Sequence, residues 1–110
     1  MAGYYVIRPS ANLKYYFTLE AENREKVLTS EMYNLKSSAR EGIASVRVNS
    51  PIDARYMRKR STRGLAYFVL TAANGEPIGT SEEYSSSQAM EDGISVVKRI
   101  GPTAVEVDRT

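Results

Sequence analysis

The sequence predicts an α+β fold: tandem β-β-β-α-β repeats forming one antiparallel sheet, with two helices on one face and an approximate two-fold axis between the copies. Three observations carry this. The chain of 110 residues repeats itself after 51 positions. Each copy changes its apolar period from two to about 3.6 partway along, as strands give way to a helix. Neither copy is large enough to cover its own apolar face.

The repeat is plainest in TSEMY at 29–33 and TSEEY at 80–84. The same offset aligns Tyr5 with Tyr56, Tyr16-Phe17 with Tyr67-Phe68, Leu19 with Leu70 and Asn23 with Asn74. It continues through Gly42-Ile43 and Gly93-Ile94, Val46 and Val97, and Pro51 and Pro102. About fifteen identities over about fifty ungapped positions mark a duplication, and a period of this size makes each copy one supersecondary unit. The chain is therefore read as a single domain of two repeats, residues 3–53 and 54–110.

Each copy opens with three strands. In KYYFTLEA, Tyr15, Phe17, Leu19 and Ala21 share one face while Tyr16, Thr18 and Glu20 share the other, and LAYFVLTA repeats the pattern. The flanking runs are YYVIR and KVLTS in copy one, RYMRK and PIGTS in copy two. Between the second and third strands of copy two, Asn74-Gly75 suits a type I′ turn, whereas copy one carries Asn23-Arg24, whose Cβ disfavours positive φ. A helix follows, because Ala39, Gly42, Ile43 and Val46, like Met90, Gly93, Ile94 and Val97, recur at i, i+3, i+4 and i+7. Ser85 with Gln88 reads as a capping box and Asn34 as the matching cap. Glycine within both helices suggests that their backbones lie directly on the sheet. Asn49-Ser50-Pro51 and Gly101-Pro102 stop the helices, and TAVEVD alternates like one more strand.

Composition narrows the chemistry. The chain is 42% apolar and 25% charged with net charge +2, ordinary for a folded domain. With no cysteine and no histidine, disulfides, thiol nucleophiles, zinc fingers and Ser-His-Asp triads are excluded. A general base must be a carboxylate, a lysine or a tyrosine, and a metal site must use oxygen ligands. The N-terminal MAGYYVIRPS has no signal-peptide pattern and no apolar run reaches membrane-spanning length, so a cytoplasmic protein without membrane contact is expected. No cofactor is expected.

The ordered blocks Y-F-x-L-x-A-x-N, T-S-E-x-Y and G-I-x-x-V, each present twice, resemble the YegP-like family of small bacterial proteins, tandem copies of a domain of unknown function. The resemblance spans essentially the whole chain. It implies a β-β-β-α-β unit, paired in tandem or as a dimer of single copies, with the C-terminal strands exchanged. Arg24 departs from the glycine of the family pattern. No activity comes with the family. The tandem pair is expected to be monomeric, since it does internally what a dimer does for a single copy.

Two surfaces are candidates for function, beside a third mode in which an exposed sheet edge accepts a partner strand, for which exchange of the C-terminal strand within the chain leaves fewer edges free. The first is the sheet face opposite the helices, expected to show Tyr4, Val6, Tyr16, Thr18, Tyr67, Val69 and Thr71 together with Arg55, Met57 and Lys59. Arg60 and Arg63 lie in the adjoining KRSTRG, making five positive charges between Arg55 and Arg63 with no acidic residue among them. Rings that stack on bases beside cations that pair with phosphates suit single-stranded nucleic acid or another anionic ligand. The second is the repeated phrase: Glu31 and Glu82, with Tyr33 and Tyr84, could meet in a cleft between the repeats and act as paired carboxylates or hold a cation. The expected function is a non-enzymatic binding or accessory module using the open face, with a carboxylate-based enzyme or metal site as the alternative.

Overall fold

In the computed structural model, which describes residues 3–110, strands β1 (Tyr4–Pro9), β2 (Tyr15–Glu20) and β3 (Lys26–Ser30) lead to helix α1 (Lys36–Asn49). Strands β4 (Tyr56–Arg60), β5 (Ala66–Thr71) and β6 (Pro77–Thr80) lead to helix α2 (Ser87–Ile100), and β7 (Val105–Asp108) follows. The strands form one sheet in the order β4-β5-β6-β3-β2-β1-β7. Thr29 faces Thr80 at the β3–β6 junction, where the two copies meet about the pseudo-two-fold axis.

All neighbours are antiparallel except β1 and β7, which run parallel, so the sheet is mixed where a wholly antiparallel one was expected. The cause lies in where α2 ends. Val105 N–H donates to Gly3 O at 2.9 Å, so the chain re-enters the sheet beside the start of β1 and runs along it in the same direction. The exchange implied by the family resemblance is thus present: the strand after copy two's helix pairs with copy one, and the strand after copy one's helix pairs with β5 of copy two.

Both helices cover the sheet face formed by Tyr5, Phe17, Leu19, Phe68 and Leu70, with Ile43, Val46, Ile94 and Val97 packed down onto it. The mid-helix glycines make close approach possible. A Cβ on Gly42 would overlap the Tyr33 hydroxyl, and one on Gly93 the Tyr84 hydroxyl. Tyr33 and Tyr84 lie flat beside Phe17 and Phe68, with interplanar angles of 11° in both copies.

The duplicated phrase is therefore a folding instruction. Ser30 Oγ accepts from Phe17 N–H at 2.8 Å and donates to the Glu31 carbonyl at 2.8 Å; Ser81 does the same for Phe68 and Glu82 at 2.9 and 2.8 Å. A side chain thus continues the strand ladder where the backbone turns toward the helix.

The turns and caps differ from the sequence expectation. The Asn74-Gly75 turn is not type I′: Gly75 N–H donates to Ala72 O and Ala72 N–H to Glu76 O, and only Gly75, at φ 87°, is left-handed. This is a three-residue loop closed by a bulge, in which Asn74 Oδ1 accepts from Glu76 N–H. Copy one uses the same loop with Arg24 at φ 70°, so arginine occupies the glycine position. The β1–β2 hairpin places Leu13 at φ 60° where the β4–β5 hairpin has Gly64 at φ 79°. Helix α2 is capped by Ser86, whose side chain accepts from Ala89 N–H, rather than by a Ser85–Gln88 box; Gln88 bonds Asp92 instead. Helix α1 begins after Leu35 with no side-chain cap, so Asn34 does not serve as one.

Candidate functional site

Directly paired residues carry one row across the whole open face: Met57, Val69, Thr80, Thr29, Thr18, Val6 and Val107. The row is closed at one end and open at the other. In copy one, Glu20 is buried above it, accepting from Arg8 at 3.1 Å, Arg24 at 3.3 Å and the Thr18 hydroxyl at 3.3 Å. The Arg24 guanidinium also stacks 3.9 Å above the Tyr4 ring. Beneath this cover Val6 and Thr18 are buried, contrary to the expectation that they would be displayed.

Copy two lacks the carboxylate at the centre of that cover and the arginine stacked over Tyr4. At the same offset Glu20 becomes Thr71, Arg24 becomes Gly75 and Arg8 becomes Lys59. Thr71 is itself buried, its hydroxyl donating to the Arg55 carbonyl at 3.0 Å. Met57 stays 48% exposed, and Lys59 stands directly opposite half-buried Tyr67. Arg8 stands opposite Tyr16 in the same way, but is tied to Glu20. Among the described residues Lys59 forms no ion pair. Next to Tyr67 opens a cavity of about 390 Å³ lined by Ser61, Thr62, Thr80, Ser81 and Glu83.

The predicted basic cluster is divided between two faces. Arg58 and Arg60 alternate with Lys59 and so turn to the helix side, where Arg58 reaches Glu91 at 2.6 Å and Asp53 at 2.9 Å. Those partners raise the Arg58 pKa further, and hydrogen bonds from Lys98 and Arg58 lower Asp53 to about 2. Arg60 bonds the Gly64 carbonyl and Ser87. Arg55 precedes the strand in a single 3-10 turn and bonds Asn49 Oδ1 at the end of α1. Arg63, in the β4–β5 loop, pairs with Glu83 at 3.2 Å. Tyr16 and Tyr67 do not form one stacking platform, because β3 and β6 separate their strands by about 14 Å.

The second candidate comes apart. Thr29 and Thr80 are paired antiparallel, so Glu31 and Glu82, each two residues further on, lie at opposite ends of the junction and share no cleft. Tyr33 and Tyr84 pack against the helices, and burial raises both phenols. The main-chain carbonyls of both glutamates are bonded, by the Ser30 and Ser81 hydroxyls. Among the described residues no three acidic side chains gather as metal ligands, and no helix is long and apolar enough to cross a membrane.

Sequence reasoning missed the Glu20 cluster. Its signal was available: Glu20 and Arg24 are an i, i+4 charge pair in copy one, and both are replaced by uncharged residues in copy two.

Comparison with known proteins agrees with this geometry in extent and in what it leaves open. A domain of unknown function, DUF1508, matches residues 10–56 and again 61–108. A UPF0339 protein of Bordetella pertussis is 49% identical over 100% of this chain and 98% of its own length. The UPF0339 protein YegP of Escherichia coli is 44% identical over 100% of both. The solution NMR structure of yegP from E. coli, described as a protein of unknown function, superposes with TM-score 0.94 at 44% identity over 100% of this chain and 95% of that one. That of a UPF0339 protein from Shewanella oneidensis gives 0.91 at 45% identity, over 98% and 92%.

Proposed function

The chain belongs to the UPF0339 (YegP) family of tandem DUF1508 domains, and from that premise we propose that it is a non-enzymatic binding module. It takes an anionic ligand carrying a planar ring, as single-stranded nucleic acid does, on the uncovered half of the open face. One observation carries this reading: Lys59 faces Tyr67 and forms no ion pair among the described residues, whereas its counterpart Arg8 is paired with Glu20. The Tyr67 ring stacks on a base, the ammonium pairs with a phosphate, and the adjoining cavity accommodates the sugar and backbone. The site is short, because the other half is closed. The module works as a monomer, which light scattering tests through a mass near 12.3 kDa.

Fluorescence anisotropy with a labelled short oligonucleotide in low salt tests the reading. Tyr67→Ala should weaken binding by about 1–3 kcal/mol, and Lys59→Ser should lower the salt slope by about one unit. Tyr16→Ala, on the closed half, should change neither. No binding by the parent protein at high micromolar concentration would overturn the reading.

A further inference from the structure

The pseudo-symmetry of the sheet is broken at its edges. Beyond β1 lies β7; the matching place beyond β4 is vacant, because the chain leaving α1 enters the sheet as β4 itself. The hairpin closes with Ser61 N–H donating to Leu65 O, so by strand alternation Met57 and Lys59 turn their backbone groups toward β5. Arg58 and Arg60 therefore present theirs outward, unpaired by any strand among the described residues.

The filled edge shows what such a place holds. On β7, Glu106 and Asp108 lie opposite Tyr5 and Ile7, on the helix side, and pair with Arg40 at 2.8 and 3.2 Å and with Lys36 at 3.2 Å. Val107, opposite Val6, lies on the open face. At the vacant edge the corresponding space is a cleft of about 190 Å³ between β4 and α2, lined by Arg58, Lys59, Arg60, Ala66, Ser87 and Met90. Here the cations come from the strand: Arg58 is held by Glu91 of α2 and by Asp53, whereas Arg60 meets no carboxylate among the described residues.

The geometry points to an eighth strand: an extended acidic segment of a partner protein, paired in parallel along the outer edge of β4. Its carboxylate turns to Arg60, which no carboxylate holds among the described residues, and its alternate apolar residues extend the row that ends at exposed Met57. A second copy fits less well. Antiparallel β4–β4 pairing would bring Arg58, Lys59 and Arg60 against themselves, and the carboxylates of another copy's β7 are already held by its own Arg40 and Lys36. This surface meets the Lys59–Tyr67 site at Lys59 but does not include Tyr67, so Tyr67→Ala distinguishes the two.

The test uses a fluorescent peptide of about eight residues alternating valine and glutamate, the length of an ordinary strand or slightly more. Anisotropy should show binding, and hydrogen exchange should show slowed amides at Arg58 and Arg60. A valine–glutamine peptide and the Arg60→Glu variant should each bind at least about tenfold more weakly, the loss of roughly one charge-assisted contact. Arg58→Pro removes an outward N–H without touching the β5 ladder, so it should abolish binding while the protein stays folded. Tyr67→Ala, outside the cleft, should bind the peptide as the parent does. The proposal is overturned if the parent fails to bind the peptide at millimolar concentration, if protection maps away from β4, if Arg60→Glu binds unchanged, or if the protein alone self-associates through β4.

Discussion

The Tyr5 hydroxyl donates a 2.6 Å hydrogen bond to the carbonyl of Gly101, 96 residues away, fastening the first strand to the end of the last helix. Tyr56 repeats the bond to Ser50 at 2.7 Å, so each copy's leading strand holds the end of the other copy's helix. Tyr5→Phe keeps the ring and strands a buried carbonyl. It should lower unfolding free energy by about 1–2 kcal/mol in a denaturant titration.

The burial of the same two phenols gives an alkaline signature. Burial holds the Tyr5 and Tyr56 phenols well above their ordinary 10.0, so the folded protein keeps protons that the unfolded chain releases. Their stabilisation is fully present below that ordinary value and declines as pH rises above it toward the folded values. Unfolding free energy measured against pH should therefore fall on the alkaline side, less steeply in Tyr5→Phe.

Leu13 is strained and makes little use of its side chain: it is 90% exposed at φ 60°. Leu13→Gly, restoring the residue found at Gly64, should raise stability by about 1 kcal/mol. Arg24→Gly relieves a similar strain but gives up the Glu20 ion pair and the stack on Tyr4, each worth about 0.5–1 kcal/mol at a half-exposed site. Its melting temperature should rise less than that of Leu13→Gly, or not at all.

Gly93→Ala drives a methyl group into the Tyr84 hydroxyl and should cost about 1–3 kcal/mol. Adding Tyr84→Phe removes the obstructing oxygen. Thermal melts of the single and double variants should show partial recovery; equal losses would mean that the helix backbone, rather than the tyrosine, absorbs the methyl.

Acid should loosen the edge opposite β7. Hydrogen bonds from Lys98 and Arg58 lower the Asp53 carboxyl from 3.8 to about 2, so it binds its proton less readily in the folded state than in the unfolded one. The contribution is present above 3.8 and is lost as pH falls from there through about 2. Because Asp53 is exposed, added salt should shrink the effect, and Asp53→Asn should flatten this limb of a stability–pH profile.

Much of the fold was legible because duplication states it twice. Strand alternation, the helix stripes around Gly42 and Gly93, and the final strand all follow from apolar period. The direction of β7 did not, since alternation fixes which face a residue takes and not which way its strand runs; that was decided by where α2 ends. The turn at Asn74-Gly75 was misassigned because a glycine signals positive φ without saying how many residues share it. The open face was read from identities between the copies, whereas its character comes from their differences: Glu20 against Thr71, Arg24 against Gly75, Arg8 against Lys59.

Parallel pairing of β1 with β7 also sets how the protein bears load. If the chain is drawn apart from Gly3 and Arg109, tension enters at the start of one strand and the end of its neighbour, so the two slide lengthwise past each other. Their hydrogen bonds, from Val105 to Gly3 at one end to Arg109 to Ile7 at the other, are then strained together rather than opened in turn. An antiparallel last strand would have peeled like a zipper under the same pull. By closing the sheet with a parallel strand, the duplication places its two ends in a shear clamp, which should give way at far higher force in a single-molecule extension than the β4–β5 hairpin pulled open from its own ends.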